Sequence, residues 1–492
     1  MHTYSNYIAG ADVPAADGRS FTAFNPTTGG VWGTFALAGA SDVDRAVTAA
    51  SAAFRTGPWG KLSPTRRGRL LMKWGEVIAE HADRIATIET EQNGKLFAEM
   101  RAQARIAQEW LYYFGGLADK IEGTVIPLDR QSIFNYTLRE PLGVVGVITP
   151  WNSPNFIAIM SLAPALAAGN TIVLKPSEIT SASAVELARL AELAGIPAGV
   201  INVVCGFRET GEALVDHPLV AKVSFTGSVG AGRAIAARAG QRLVSCMLEL
   251  GGKSPNIVFD DANLDQAEAG VLAGIFAAAG QTCVAGSRAY IHESIYDALV
   301  DRIVKRAQQI TIGDPLKAAT QMGPVATRIQ LEKDEAMVQR AVAEGATVLC
   351  GGARPAIAEF PEGYFYQPTI VHQLKKDNFL MRNEVFGPVL AVTPFKDEAE
   401  VLALANDTEF GLAAGVWTHD IRRAHKMARA LESGTVWINT YRALTFNSPF
   451  GGYKASGIGR QNGIEAVYQY LQTKSVWCEL GDDVQDPFVM KV

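Results

Sequence analysis

Cys283 stands in AAAGQTCVAGSR, with Gly280 before it and Gly286 after it. A cysteine taken alone reads more readily as a small buried hydrophobe than as a nucleophile. The flanking glycines shift the balance, because they let the backbone approach a ligand closely. A reactive thiol also needs a lowered pKa or a base beside it. Glu249, in LELGGKSPNIVF, is a base candidate. A carboxylate at the end of an apolar strand has its pKa raised by desolvation, which suits a general base near neutral pH. The alternative is an exposed glutamate at a strand end. Asn152, in VITPWNSP, follows an apolar strand and precedes a helix. Its amide N–H could face a developing oxyanion, or it could cap the helix.

Three further stretches could carry chemistry. LKPSE (174–178) ends a strand and offers Lys175 and Glu178, a donor and an acceptor for the two hydroxyls of a ribose. The alternative is a solvated loop pair. FTGSVGAG (225–232) ends another strand and opens a helix. Its spacing is GxxGxG, so the usual GxGxxG fingerprint is absent, but a phosphate at a helix N-terminus is physically reasonable. EVFGPVL (384–390) places Glu384 and Phe386 before a strand, with a plain loop as the alternative.

These groups need a scaffold. Residues 41–114 read as helical. Ser63-Pro64 fits an N-cap followed by proline, and Leu70, Leu71, Trp74, Val77 and Ile78 recur at helical spacing. From 143 short β-branched runs appear: GVVGVI (143–148), TIVLK (171–175), VINVV (200–204) and AKVSF (221–225). Helical stretches at 156–168, 181–194, 210–216 and 230–239 lie between and after them. The alternation predicts βαβ units, a parallel sheet and a doubly wound α/β fold, with ligands at the carboxyl ends of the strands. A second alternation passes through NIVFD (256–260), SRAYIH (287–292), AVTPF (391–395) and GTVWIN (434–439). Its helices fall near 265–280, 294–310, 328–344, 398–406 and 420–431, and it predicts a second α/β domain. Two extended segments, 120–141 and 470–480, alternate in polarity and could pair with each other or across subunits.

The 492 residues are 48% hydrophobic and 19% charged, with a net charge of −5. That is the balance of a soluble globular chain. No basic block speaks for nucleic acid. FIAIMSLAPALAAG (156–169), interrupted by Pro164, is too short for a membrane span and reads as a buried core helix. The N-terminus lacks the pattern of a signal peptide. Cys205, Cys246, Cys283, Cys350 and Cys478 form no CxxC pair. A disulfide framework or metal site is therefore not expected, and the expected setting is the cytoplasm.

Taken in order, PWN, KPSE, FTGS, ELGGKSP, GQTC, EVFGP and PFGGYK resemble the NAD(P)-dependent aldehyde dehydrogenase superfamily, from NPTTG (25–29) to SPFGGYKASGIGR (448–460). The resemblance implies a Rossmann-like dinucleotide-binding domain at 1–119 and 142–251. It also implies an α/β catalytic domain at 252–455, and a small β oligomerisation arm at 120–141 and 470–492 that assembles dimers or tetramers. It implies Cys283 as the nucleophile, Asn152 and the Cys283 backbone N–H as the oxyanion hole, and Glu249 as the base that activates the deacylating water. Catalysis through a thiohemiacetal and a thioester splits one hard oxidation into two easier steps. The cofactor residues implied are Thr149, Pro150, Trp151, Lys175, Ser177, Glu178, Gly211, Phe225, Thr226, Gly227, Ser228, Gly232, Leu250, Gly251, Gln330, Lys333, Glu384 and Phe386. Glu178 fits NAD, because its charge repels a 2′-phosphate; NADP is the second choice.

Two positions depart from the family pattern. Gln461 stands where many relatives carry Glu, so the resemblance does not carry a proton-relay role over to that position. CGFRETG, with Arg208, replaces a GxG-like turn near Gly206. The implied substrate tunnel is Phe156, Ile157, Met160, Thr282, Val284, Arg442 and Leu444, mainly apolar and suited to a medium or aromatic aldehyde. Arg442 reads as a solvated loop charge, with an anchor for a substrate carboxylate or carbonyl as the alternative. The competing functions are a CoA-acylating semialdehyde dehydrogenase, whose members commonly lack a glutamate at the position of Glu249, and a catalytically silent member of the fold. A cysteine hydrolase finds no recognisable histidine partner.

Overall fold

The computed structural model describes residues 2–482, 484 and 488. The rest of the arm expected at 470–492 lies outside the described residues. An eight-stranded sheet runs in the order Gly457–Ile458, Ser245–Glu249, Val220–Thr226, Val144–Ile148, Thr171–Lys175, Ile201–Val203, Asn6–Ile8 and Ala11–Val13. The strands from Ser245–Glu249 to Ile201–Val203 are mutually parallel, and the edges are antiparallel. Val144–Ile148 and Thr171–Lys175 are buried along their whole length. Helices cover both faces of such a sheet, so its strands read as unbroken apolar runs. In register, Thr226 pairs with Glu249, Phe225 with Ile148, and Ile148 with Lys175. The carboxyl ends therefore line up, and the loops that leave them emerge side by side.

The seven-stranded sheet is ordered Thr347–Cys350, Thr369–His372, Val389–Phe395, Arg288–His292, Pro255–Val258, Ala413–Trp417 and Thr435–Ile438. Only its first pair is antiparallel. The two extended segments do pair with each other. Ile133–Pro141 runs antiparallel to Leu471–Glu479, from Leu471 opposite Pro141 to Glu479 opposite Ile133.

Helices Ala40–Arg55, Pro64–Glu80, Ala82–Asn93 and Phe97–Leu117 fill the region read as helical. Ser63 caps the second through its side chain, accepting from the Arg66 backbone N–H. Trp59, Trp74 and Trp110 are fully enclosed. Their indole N–H groups donate to Asn170 O at 3.0 Å, Leu187 O at 3.3 Å and Asn462 Oδ1 at 2.8 Å. Each such burial stabilises by roughly 1.5–3 kcal/mol, and the hydrogen bond removes the cost of an orphaned donor. The apolar stretch near 156–169 is a buried helix, Pro154–Ala167. Among the described residues no helix is long and apolar enough to cross a membrane.

Two features depart from the sequence reading. Strands His2–Tyr4, Ser20–Phe24, Val31–Ala36, Thr347–Cys350, Thr369–His372 and Ala413–Trp417 fall outside the alternation read from the chain. The helix expected over 265–280 stops at Ile275. Ala278, Ala279 and Gly280 follow with φ of 56°, 51° and 71°. Alanines favour helix locally, but a left-handed alanine costs roughly 1–2 kcal/mol, so tertiary packing imposes this turn.

The segment after residue 450 also returns to the first sheet. Gly457 and Ile458 flank Glu249 and Leu248 as the edge strand. Ser456 Oγ donates to Gly251 O at 2.7 Å across 205 residues of sequence, and Leu250 N donates to Ser456 O at 2.9 Å.

Candidate active site

The left-handed turn at 278–280 delivers Cys283. A Cβ at Gly280 would overlap the Gly387 carbonyl, so only glycine fits. A Cβ at Gly252 would stand 2.6 Å from Cys283 O, so the loop after the Glu249 strand also lies against Cys283. Tyr441 OH donates to Val284 O at 3.0 Å, and Ala326 N donates to Gln281 Oε1 at 2.8 Å. Asn152 is buried and donates through Nδ2 to Gln281 O at 3.0 Å. It is not the helix cap, since Ser153 occupies that position. The same bond fixes the amide beside the thiol and leaves its second N–H available.

Glu249 is the last residue of its strand and is buried, with neither carboxylate oxygen hydrogen-bonded among the described residues. Burial pushes its pKa well above the usual carboxylate range, and Arg460 opposes the shift. Burial likewise pushes the half-buried Cys283 thiol up to about 12. The Glu249 and Glu384 carboxylates add to that shift, and Lys95 opposes it. The thiol is thus protonated at neutral pH, and its proton needs an acceptor.

Cys283, Glu249 and Asn152 line the wall shared by two cavities. The first also takes in Pro150, Trp151, Ile157, Thr226, Gly227, Ser228, Leu250, Gly251, Gln330, Lys333, Glu384 and Phe386. Glu384 Oε1 accepts from Gly252 N at 3.0 Å, and Phe386, at φ 64°, meets Trp151 edge-on. Gln330 Nε2 donates to Asp334 Oδ1 at 2.6 Å and to Val385 O at 2.9 Å. Its amide therefore braces the Glu384–Phe386 loop.

A further cavity, beside the first turn of the helix Val229–Gln241, is lined by Lys175, Glu178, Gly211 and Phe225 with Phe207, Arg208, Glu212 and Arg238. Lys175 is buried, against the reading of a solvated pair, and its ammonium reaches Glu178 Oε2 only at 3.9 Å. An enclosed donor and a nearby acceptor suit a vicinal diol. Ser228 caps the helix Val229–Gln241, accepting from Ala231 N. Thr149, Ser177 and Gly232 are not on these walls. A Cβ at Gly232 would stand 2.5 Å from Leu250 Cδ2, which marks it as a helix-packing position.

A family model described as the aldehyde dehydrogenase family matches residues 13–476. The chain belongs to the aldehyde dehydrogenase family. It is 44% identical over 494 residues to the (Z)-2-((N-methylformamido)methylene)-5-hydroxybutyrolactone dehydrogenase of Acinetobacter baylyi, covering 100% of each chain. It is also 44% identical to the betaine aldehyde dehydrogenase of Brucella anthropi, covering 98% of this chain and 99% of that one. Among solved structures, the NAD+ complex of an aldehyde dehydrogenase from Bacillus cereus superposes with a TM-score of 0.95 at 40% identity, covering 98% and 97% of the two chains. A betaine aldehyde dehydrogenase from Staphylococcus aureus in complex with NAD+ gives 0.96 at 37% identity, covering 99% and 97%.

The second cavity of this aldehyde dehydrogenase gathers the residues expected to line a tunnel. Phe156, Ile157, Met160, Thr282, Val284, Arg442 and Leu444 all line it. Arg442 corrects the reading of a solvated charge. Its guanidinium reaches Glu99 Oε1 and Ala273 O, each at 3.3 Å, and its side chain is 24% exposed. Sequence reasoning missed Lys95, Gln103, Trp110, Trp437 and Phe450 on the same wall. Lys95 and Gln103 lie in a region legible only as helical, and helix docking alone turns them inward. Gln461 also lines the tunnel, and its amide donates to Ser161 Oγ at 2.9 Å.

Proposed function

We propose that the chain oxidises an aldehyde to the carboxylic acid with NAD+, through a thiohemiacetal and then a thioester on Cys283. The observation that carries this reading is the shared wall: thiol, carboxylate and amide face one cavity on the cofactor side and another on the substrate side.

The Cys283 thiol gives its proton to a water molecule, and the thiolate sulfur attacks the carbonyl carbon. The free N–H of Asn152 and the Cys283 backbone N–H hold the oxygen as it gains charge. Bound NAD(P)+ supplies one chemistry, acceptance of the hydride from the thiohemiacetal carbon. Glu249 then takes a proton from water, hydroxide adds to the thioester carbon, and the Cys283 thiolate leaves. Burial raises the pKa of both groups, which makes each a strong base once deprotonated. Glu178 disfavours a 2′-phosphate. Arg208 and Arg238, which line the same cavity, are paired with Glu212 and Asp216. NADP is therefore the weaker cofactor. Glu249 favours water over CoA as the acyl acceptor.

We divide the chain as the two large sheets suggest, into a dinucleotide-binding domain (1–119 and 142–251), a catalytic domain (252–455) and an arm (120–141 and 470–492). Phe134, Leu138 and Trp477 are exposed on the arm, which supports a homodimer or homotetramer. Five free cysteines support a cytoplasmic setting. An aldehyde panel with NAD+ and with NADP+, followed by NADH or NADPH absorbance and by product analysis with and without CoA, tests the whole reading. No reduced cofactor from any aldehyde refutes it.

A further inference from the structure

The tunnel wall carries charge as well as carbon. Lys95 and Arg442 both line it, beside Gln103 and Cys283. Lys95 is 3% exposed, and its ammonium donates to Ser153 Oγ at 3.2 Å. A lysine ammonium has three donors, so it keeps capacity for another acceptor. Arg442 is held at φ 63° and spends two nitrogens on Glu99 and Ala273 O.

Burial lowers the Lys95 pKa and Arg442 adds to that shift, while Glu99, Cys283 and Glu89 oppose it; the carboxylates facing the two cations do not cancel them. Glu99 offsets one. Glu89, behind Lys95, is pushed up to about 7 by burial, so it offsets only in part. Glu249 is held toward its neutral form. Trp110, Phe156 and Trp437 offer rings that attract cations at contact. Trp110 and Phe156, however, already pack edge-to-face on one another. Charge repulsion reaches farther than ring attraction and strengthens where the walls exclude water.

We infer that Lys95 and Arg442 make the tunnel a charge filter, which favours aldehydes bearing a carboxylate or similar anion and disfavours quaternary ammonium aldehydes. This rests on the aldehyde-oxidising reading of the same cavity. Several relatives are named for betaine aldehyde, a trimethylammonium compound; that name does not transfer to this tunnel.

The test reads charge without turnover. Two methanethiosulfonate reagents share one reactive head and carry either ethylsulfonate or ethyltrimethylammonium. The Cys283 thiolate attacks the sulfenyl sulfur, a mixed disulfide forms, and methanesulfinate leaves with the bonding pair. Peptide mass spectrometry separates Cys283 from the exposed Cys478. After normalisation to a small free thiol, the sulfonate reagent should modify wild-type Cys283 roughly tenfold faster or more. Arg442→Gln and Lys95→Gln should shrink that preference, and Glu99→Gln should enlarge it. Equal normalised rates in the wild type, or a preference for trimethylammonium, overturn the filter whether or not any variant folds. An unchanged ratio in all three folded variants overturns the assignment to these residues. Failure of the aldehyde panel with a strong sulfonate preference would sink the enzymatic reading and leave the filter standing.

Discussion

Gly280→Ala tests how tightly the nucleophile loop is held. The position has a φ of 71°, where a side chain costs roughly 1–2 kcal/mol. A Cβ there would overlap the Gly387 carbonyl and stand 2.8 Å from Pro388 N. Carbon pairs rest at about 3.5–4.0 Å, so one backbone must withdraw by something on the order of 1 Å. Neither side has room to spare. On one side lies Cys283, three residues on. On the other, a Cβ at Gly387 would overlap the Asp334 carboxylate, which is itself bonded to Gln330. Overpacking adds roughly 1–3 kcal/mol, so the total destabilisation should be about 2–5 kcal/mol. A 1 Å misplacement of a reacting group costs about a hundredfold in rate. The expected result is a lower thermal midpoint, a fall of about a hundredfold in kcat/KM, and an altered rate of Cys283 alkylation by iodoacetamide. Wild-type values for midpoint and kcat/KM together would show that the loop does not depend on this contact.

Glu249→Gln should still acylate but fail to release acid, so intact-mass spectrometry should show an acyl adduct on Cys283 after one turnover. Because burial raises the Glu249 pKa, wild-type deacylation should rise with pH as that carboxyl loses its proton. The glutamine variant should lack that rise, and the same acid limb in both would remove Glu249 from the base role. Asn152→Ala should cost roughly 10²–10³ in kcat, the usual effect of one lost oxyanion donor; a change confined to KM would refute that role. Ser456→Ala should lower stability by about 2–4 kcal/mol in denaturant unfolding. It leaves Gly251 O and Gly411 N without the bonds they make to the buried hydroxyl. A loss below about 0.5 kcal/mol would mean that this clip contributes little.

Cys283, Glu249 and Asn152 were legible because each sits in a short motif whose flanking residues fix a strand end or a tight turn. The parallel strands were legible because burial on both faces leaves unbroken apolar runs. Lys95 was not, since a lysine between two helices looks like any solvated lysine until neighbouring helices enclose it. The turn at Ala278–Gly280 was hidden for the opposite reason: its residues prefer helix, and only a contact with Gly387, more than a hundred residues away in sequence, overrules them. Arg442 read as a surface charge because Glu99, its partner, lies 343 residues away.

The strand that carries Glu249 is flanked by Gly457–Ile458 and clipped by Ser456. Ribosomes deliver Glu249 and Cys283 long before that segment. A nascent chain can hold the thiol and most of the cofactor sheet while its base strand remains an open edge. The covering of that strand is a late event of synthesis, and until then the carboxylate lacks the burial that raises its pKa. On the proposed mechanism, thiol and base can work as a pair only after this sheet has gained its Gly457–Ile458 strand.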